Sequence, residues 1–536
     1  MTQILILGGG IMQLPAIRIA KARGWRVIVA DADPGALGRA LCDDFLQADL
    51  KDRDEILECA RGLSSRSGLD GVFTAGTDFS STVAWVSEKL DLPGIRYDAA
   101  MKATDKCRMR EAFDRAGVPS PRFACWTPEM DPGKAAARIP FPVVVKPVDN
   151  MGARGVMRVD EQNELASACS RAAALSRSSR VIIEEYMKGP ELSLDAIVHD
   201  GEITVCGIAD RHICFEPYFV EMGHTMPTEM DESLIEEVEA VFRRGIGAIG
   251  IDNGAAKGDI KVTAAGPKIG EIAARLSGGF MSGWTFPMSC GVEVTAAALD
   301  IAVGLPPGDL TPKFSAVAAE RAIISIPGTV QDVEGIDMAS RDGGVRELFL
   351  RVKTGSRVVF PTNNVEKCGN VITACPSRAE AIAAAVKAIS RIRIRLRPST
   401  EVTDRFLFGT AEEDGRSAFA LSEDCDREAL QRMQPYWENA PLKPGEPMAI
   451  QALPAFFAEK CTDWHGLSIQ QGVRGLMESG HIVMKKETPE DGFTLGSVFW
   501  KALLRGGTQG ALYLLDGISS SGSRESVLGY ISRICR

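Results

Sequence analysis

The chain begins QILIL, an unbroken apolar run into Gly8, Gly9 and Gly10, and continues LPAIRIAKARG, where apolar residues recur at helical spacing up to Gly24. Short apolar runs bounded by turn residues read as strands covered on both faces, and a 3.6-residue recurrence reads as an amphipathic helix. WRVIVADADP gives a second strand closing on Asp31 and Asp33, GVFTAG a third, and VAWVSEKLDLPG another helix. That alternation predicts a parallel sheet with right-handed crossovers.

Downstream the rhythm changes. TDKCRMREAFDRAGVPSP (104–121) reads as a capped helix stopped by Gly117 and Pro119. FPVVVKP, RVIIEEYM and ELSLDAIV are strand-like, with a helix over 161–175 among them, and a helix over 232–248 leads into the hairpin DIKVTAAGPKIGEIAARL. Residues 345–397 form a small β-rich unit with one helix, SRAEAIAAAVKAIS. After Pro398 come long loops, clustered prolines (PLKPGEP) and a glycine-rich end (RGGTQGALYLLDGISSSGS), which mark a separate module. The fold class is therefore α/β and α+β multidomain: a parallel-sheet domain over 1–98, a second domain over 99–305, a β-rich subdomain over 306–398 and an additional module over 399–536. No motif recurs, so there is no internal duplication.

Composition acts mainly by exclusion. The 45% apolar and 25% charged fractions of the 536 residues are those of an ordinary globular protein, and a net charge of −10 argues against nucleic acid held by bulk electrostatics. Thirteen cysteines lack C-x-x-C pairing and zinc-like histidine spacing, so they read as small buried hydrophobes in a reducing compartment. The N-terminus enters a strand with no basic n-region or cleavage site, and no apolar run reaches about 18 residues. A cytoplasmic protein without a membrane span is expected.

Candidate chemistry concentrates in FPVVVKPVDNMGARG (141–155). A core strand has no use for an ammonium at its end, because an unpaired buried charge is costly, so Lys146 predicts an anion nearby. The loop after it frees backbone at Gly152 and Gly155 and adds Arg154, a nest suited to phosphate oxygens or a plain surface turn. On the hairpin, residues two apart share a face, which aligns Glu271, Ala273 and Arg275. A three-residue turn at 264–266 with left-handed Gly266 sets Asp259 opposite Glu271. Two carboxylates on one face call for a cation between them, and hard oxygen donors without nearby His or Cys favour magnesium. Thr77 and Asp78, just past a strand's carboxyl end, are candidates for contacting substrate.

The order KxxxxxxF, VVVKP, MGARGV, IIEEYMKGPE, EMGHTMP, GDIKV, GEIAARLSGG resembles the ATP-grasp superfamily, most of all the carboxylate–amine ligases and their carbamoyl-phosphate-synthase-like and biotin-carboxylase-like relatives, over residues 1–397. The resemblance implies a Rossmann-like domain preceding an ATP-grasp fold over 99–305, with a lid at about 140–190 and ATP between two sheets. Lys106 and Lys146 would contact phosphates under the loop of Gly152, Arg154 and Gly155. Glu184 and Met187 would offer main-chain groups to adenine with Glu185 beside them, and Glu191 would hold the ribose. Asp259 and Glu271 would bind Mg2+ or Mn2+, and Arg275, with Lys146, would act on the transferred phosphoryl group. Ser277, Gly278, Gly279 and His224 would face the second substrate. It implies an ADP-forming ligase joining a small carboxylate to an amine, or a bicarbonate-phosphorylating enzyme, or a nucleotide-binding protein with weakened catalysis.

One departure stands out. Ala273 occupies the position where the family has asparagine, so a second magnesium loses one protein ligand: water replaces it, the metal binds more weakly, or catalysis is impaired. Three features remain outside the motifs that carry the resemblance. RIRIRLR (391–397) alternates arginine with aliphatics and reads as a strand whose basic face pairs with acidic side chains. The WHG at 464–466 and His481 read as ordinary loop histidines. The module over 399–536 is open to two roles, shaping the acceptor site or forming a homodimer interface.

Overall fold

The structure, a computed structural model, describes residues 1–409, 417–422, 425, 427–438, 446–485, 492–521 and 523–535. Residues 441–445 of the proline cluster lie outside them. The chain forms two compact units, Met1–Glu320 with Thr362–Asn364 and Ile372–Ile382, and Arg321–Pro361 with Val365–Val371 and Ala383–Arg536. The segments read as 1–98 and 99–305 fall in the first, 399–536 in the second, and 306–398 contributes to both.

In the first unit, strands Asp44–Gln47, Arg26–Asp31, Gln3–Leu7 and Gly71–Phe73 form a parallel sheet in that order. Ile4, Leu5, Ile6 and Leu7 are all 0% exposed, which is why this run shows no polar alternation. Gln13, just past the three glycines, is buried beside Gly8 and donates to Ala75 O at 2.7 Å. Asp44–Gln47 and the helix Arg53–Ser67 were not read from the sequence; DFLQ is too short and polar to signal a strand.

A second, antiparallel sheet orders Phe123–Trp126, Val181–Glu185, Val143–Pro147 and Met157–Val159. A third places Gly266–Ala273, Gly254–Thr263, Glu191–His199, Glu202–Cys214 and Val220–Met226 side by side, each antiparallel to the next. The helix Glu232–Ile249 lies under this sheet, with Phe242 and Ile246 packed among Ile260, Ile269 and Ile272, all fully buried. Each such isoleucine contributes roughly 1.5–3 kcal/mol on burial, so one face of the hairpin is fixed inward. The other face is left for polar side chains.

Two expectations need correction. Cys107 and Cys125, read as thiols, are joined in a disulfide, their Cα atoms 6.1 Å apart and so within bridging reach; no other disulfide forms among the described residues. The glycine-rich end is the helix Ser497–Ser520, kinked at Gly507. Its glycines permit close packing: a Cβ on Gly517 would lie 2.6 Å from the Tyr530 ring. In the same second unit, Arg393–Leu396 pairs with Gly328–Glu334, and Arg395 engages Asp516 at 2.8 Å, so the basic strand face is met by acidic partners. His465 is half-buried and accepts from Ile324 N–H at 3.3 Å, a packing role. No helix among the described residues is long and apolar enough to cross a membrane.

Candidate functional site

The third sheet sets the site out as rows. Asp259 is opposite Glu271 on one side and Ser193 on the other, and Lys257 is opposite Ala273 and Asp195. The turn differs from expectation yet the pairing is the expected one: Thr263 pairs with Gly266 around a two-residue turn, and a bulge at Gly270 restores the offset before Glu271. Gly266 has φ +94°. Asp259 receives Arg211 at 2.9 Å, Ser193 Oγ at 3.1 Å and the Lys257 ammonium. Burial pushes the Asp259 carboxyl up, but Arg211 and Lys257 outweigh it and hold the group below the ordinary range. The same balance, struck by Lys106 and Lys257, keeps Glu271 ionised.

Lys146 ends its strand on Glu184 Oε2 at 2.6 Å, and Glu184 Oε1 accepts from Arg110 Nε at 2.7 Å. Arg110 and Glu184 are 0% and 1% exposed. The Glu184 main chain sits inside the sheet, opposite Val144 and Phe123, and its side chain pairs with the two cations. Glu185 donates its N–H to Arg122 O and lies 3.4 Å from Lys268, at the strand's end, with Met187 two residues beyond. Lys106 caps the site from below, its Nζ 2.8 Å from Asn150 O and 3.8 Å from Glu271.

The glycine loop turns through positive φ at Gly152, Ala153 and Gly155. Arg154 reaches Asp78 at 2.9 Å, tying the loop to the parallel sheet's Thr77–Asp78 turn. Asn364 donates its N–H to Gly152 O and accepts from Glu221 N–H at 2.8 Å. Glu191 pairs with Arg211 at 2.5 Å and Lys261 at 3.4 Å.

Beyond Glu271, Arg275 is 8% exposed and makes no ion pair within 4.0 Å among the described residues, donating only to Leu276 O and toward Met151 Sδ. Burial lowers its pKa, partly countered by Glu271 and Asp78. Ser277 N–H donates to Asp195 Oδ1 at 2.9 Å. Gly278 packs on Gly76, and Gly279, at φ +62°, approaches Glu221, whose carboxylate a Cβ there would meet at 3.0 Å. His224 holds Thr285 Oγ1 at 2.7 Å and Glu320 at 3.3 Å, and donor atoms of Glu221, His224 and Glu320 all lie within 4.8 Å of one another.

The sequence matches the ATP-grasp domain family over residues 139–283 and the L-amino acid ligase C-terminal domain 2 family over 321–397. The structure resembles that of the L-amino acid ligase from Bacillus licheniformis, with a TM-score of 0.65 at 20% identity over 74% of this chain and 99% of that one. The chain carries an ATP-grasp domain. Mouse carnosine synthase 1 is 26% identical over 415 residues, 71% of this ATP-grasp chain and 49% of that protein, so the match spans about half of the longer enzyme. D-alanine–D-alanine ligase of Stutzerimonas stutzeri is 28% identical over 186 residues, 33% of this chain and 58% of that one.

The chain has donors that fit one hard divalent ion: two ionised carboxylates adjacent on one sheet face, with no thiolate or imidazole between them. Sequence reasoning missed Arg110, Arg211, Lys257, Glu221, Glu320 and Asp195. Lys257 was legible in principle, being two residues from Asp259 and hence on its face. Arg110 and Arg211 were not, because their partners lie 74 and 20 residues away.

Proposed function

We infer that the protein activates a carboxylate as its acyl phosphate at the expense of ATP and joins it to an amine, with an amino acid or similar small acid as substrate. Arg275 carries the reading: a buried guanidinium two residues past the strand that ends at Ala273, with no ion pair within 4.0 Å among the described residues, awaits an anion.

A free carboxylate is a poor acyl donor because its oxygen leaves badly, and phosphorylation converts that oxygen into part of a phosphate leaving group. Phosphoryl transfer demands positioning and charge neutralisation above all. Lys146 and Lys106 meet the phosphates, Lys146 swinging from an anchor on Glu184 that fixes its stem. The amides of Gly152–Gly155 cover them, with Arg154 on Asp78 drawing the loop down and excluding water that would hydrolyse the acyl phosphate. Glu184 and Met187 offer main-chain groups to the adenine with Glu185 beside them, and Glu191 exchanges a cationic partner for the ribose hydroxyls. Asp259 and Glu271 would hold a magnesium or manganese ion, which would supply Lewis-acid stabilisation of phosphate charge. Arg275 steadies the acyl phosphate oxygens, and the amine attacks the acyl carbon, expelling phosphate.

The second substrate's pocket favours an amino acid over bicarbonate. Glu221, Glu320 and His224 gather acceptor groups beside Gly279, a setting suited to an ammonium. The test is phosphate release from ATP with amino acids offered singly and in pairs. The reading requires release that depends on a pair; release that depends on bicarbonate alone contradicts it.

A further inference from the structure

On antiparallel strands, residues two apart and residues directly opposite share a face. Lys257, Asp259, Glu271 and Ala273 therefore form a two-by-two array on the polar face of the hairpin. Asp259 and Glu271 occupy one row; Lys257 and Ala273 occupy the next. The Ala273 corner carries only a methyl group, so a second divalent ion finds no oxygen there. Its direct partner carries an ammonium.

The Lys257 side chain is 14% exposed and its Nζ contacts Asp259 Oδ2. On its other flank Lys257 is opposite Asp195, a fully buried carboxylate whose Oδ1 is taken by Ser277 N–H while Oδ2 has no hydrogen-bond partner among the described residues. The ammonium thus stands among Asp259, Glu271 and Asp195, and its field acts on all three. An ammonium offers three donors and no acceptor, so it neutralises carboxylates and phosphates yet cannot ligate a metal. A divalent ion brought to the same corner would meet a fixed like charge and lack an oxygen ligand.

We propose that Lys257 is a built-in cation that takes the place of the second divalent ion, so that this chain binds nucleotide with one metal, held by Asp259 and Glu271. The proposal rests on the ATP-ligase reading and narrows it. The ligand lost at Ala273 is then one half of an exchange, in which a side-chain charge replaces a metal charge.

Manganese counting on the full chain tests it. Electron paramagnetic resonance titration of Mn2+ at saturating β,γ-methylene-ATP is expected to show one ion per chain, and two after Lys257→Met combined with Ala273→Asn. Lys257→Met alone is expected to weaken the analogue about 10- to 100-fold, the scale of one charge-assisted contact, while Lys257→Arg retains one ion and near-native affinity. Two ions of similar affinity in the unaltered chain overturn the proposal but leave the ATP reading standing, and so does an unchanged analogue affinity in Lys257→Met. Failure of the unaltered chain to bind the analogue overturns both. The count in the unaltered chain needs no variant to fold.

Discussion

Replacing Glu184 by glutamine probes the anchor beneath the phosphate lysine. The substitution keeps shape and removes one negative charge from between Arg110 Nε at 2.7 Å and Lys146 Nζ at 2.6 Å. Lys146 is 18% exposed along its side chain and can recover some hydration, but Arg110, at 0%, cannot. Breaking a buried pair by removing one partner costs about 3–5 kcal/mol, and the isolated arginine places Glu184→Gln within that range. The cost also has a pH signature. Burial pushes the Glu184 carboxyl up, yet Arg110 and Lys146 outweigh it and hold it below its ordinary 4.5. A depressed folded-state pKa means that the stabilisation is present above about pH 4.5 and is lost as pH falls through the folded value. Urea denaturation followed by tryptophan fluorescence, with Trp126 in the same sheet as Glu184, reads both effects. The difference between the two proteins is expected to be largest near about pH 7 and to shrink below about pH 4.5. A difference under about 1 kcal/mol at neutral pH, or one indifferent to acid, would refute the anchoring argument.

Other outcomes follow from the same geometry. Lys146→Ala should weaken ADP about 10- to 100-fold by calorimetry, as expected for a lost charged contact; unchanged affinity removes it from the phosphate site. Burial raises Asp195 to about 6, so its ionisation opposes folding increasingly as pH rises from its unfolded value of 3.8 through about 6. Asp195→Asn should flatten that decline in a pH series of thermal melts, and an unaltered slope would count against it. Arg154→Ala releases the glycine loop from Asp78 and should raise uncoupled ATP hydrolysis relative to amide formation, measured as the ratio of phosphate to product; a constant ratio would deny the loop its sealing role.

How much of this was written in the chain varies with the range of the interaction. The QILIL and WRVIVAD strands were legible because burial on both faces leaves an unbroken apolar run. Asp259 opposite Glu271 was legible because strand pleating fixes faces, even though the turn is one residue tighter and Gly270 bulges to compensate. The charge network was not. Arg110 reads as an ordinary helix-surface residue until the fold brings Glu184 from 74 positions away. The pairing of Glu184 was not legible either, because a motif gives the residue but not which partners the fold brings to its side chain. The helix Ser497–Ser520 was hidden by four glycines that read locally as loop and act globally as sites of close packing. Cysteine spacing gave no sign that Cys107 and Cys125 would meet.

The central claim is that a carboxylate is activated by direct transfer of a phosphoryl group before an amine attacks. Oxygen-18 placed in the carboxylate of the acid that supports pair-dependent turnover follows that step atom by atom. The account predicts that one labelled oxygen per turnover appears in the released phosphate. Phosphate free of label, with the amide product formed, would contradict it.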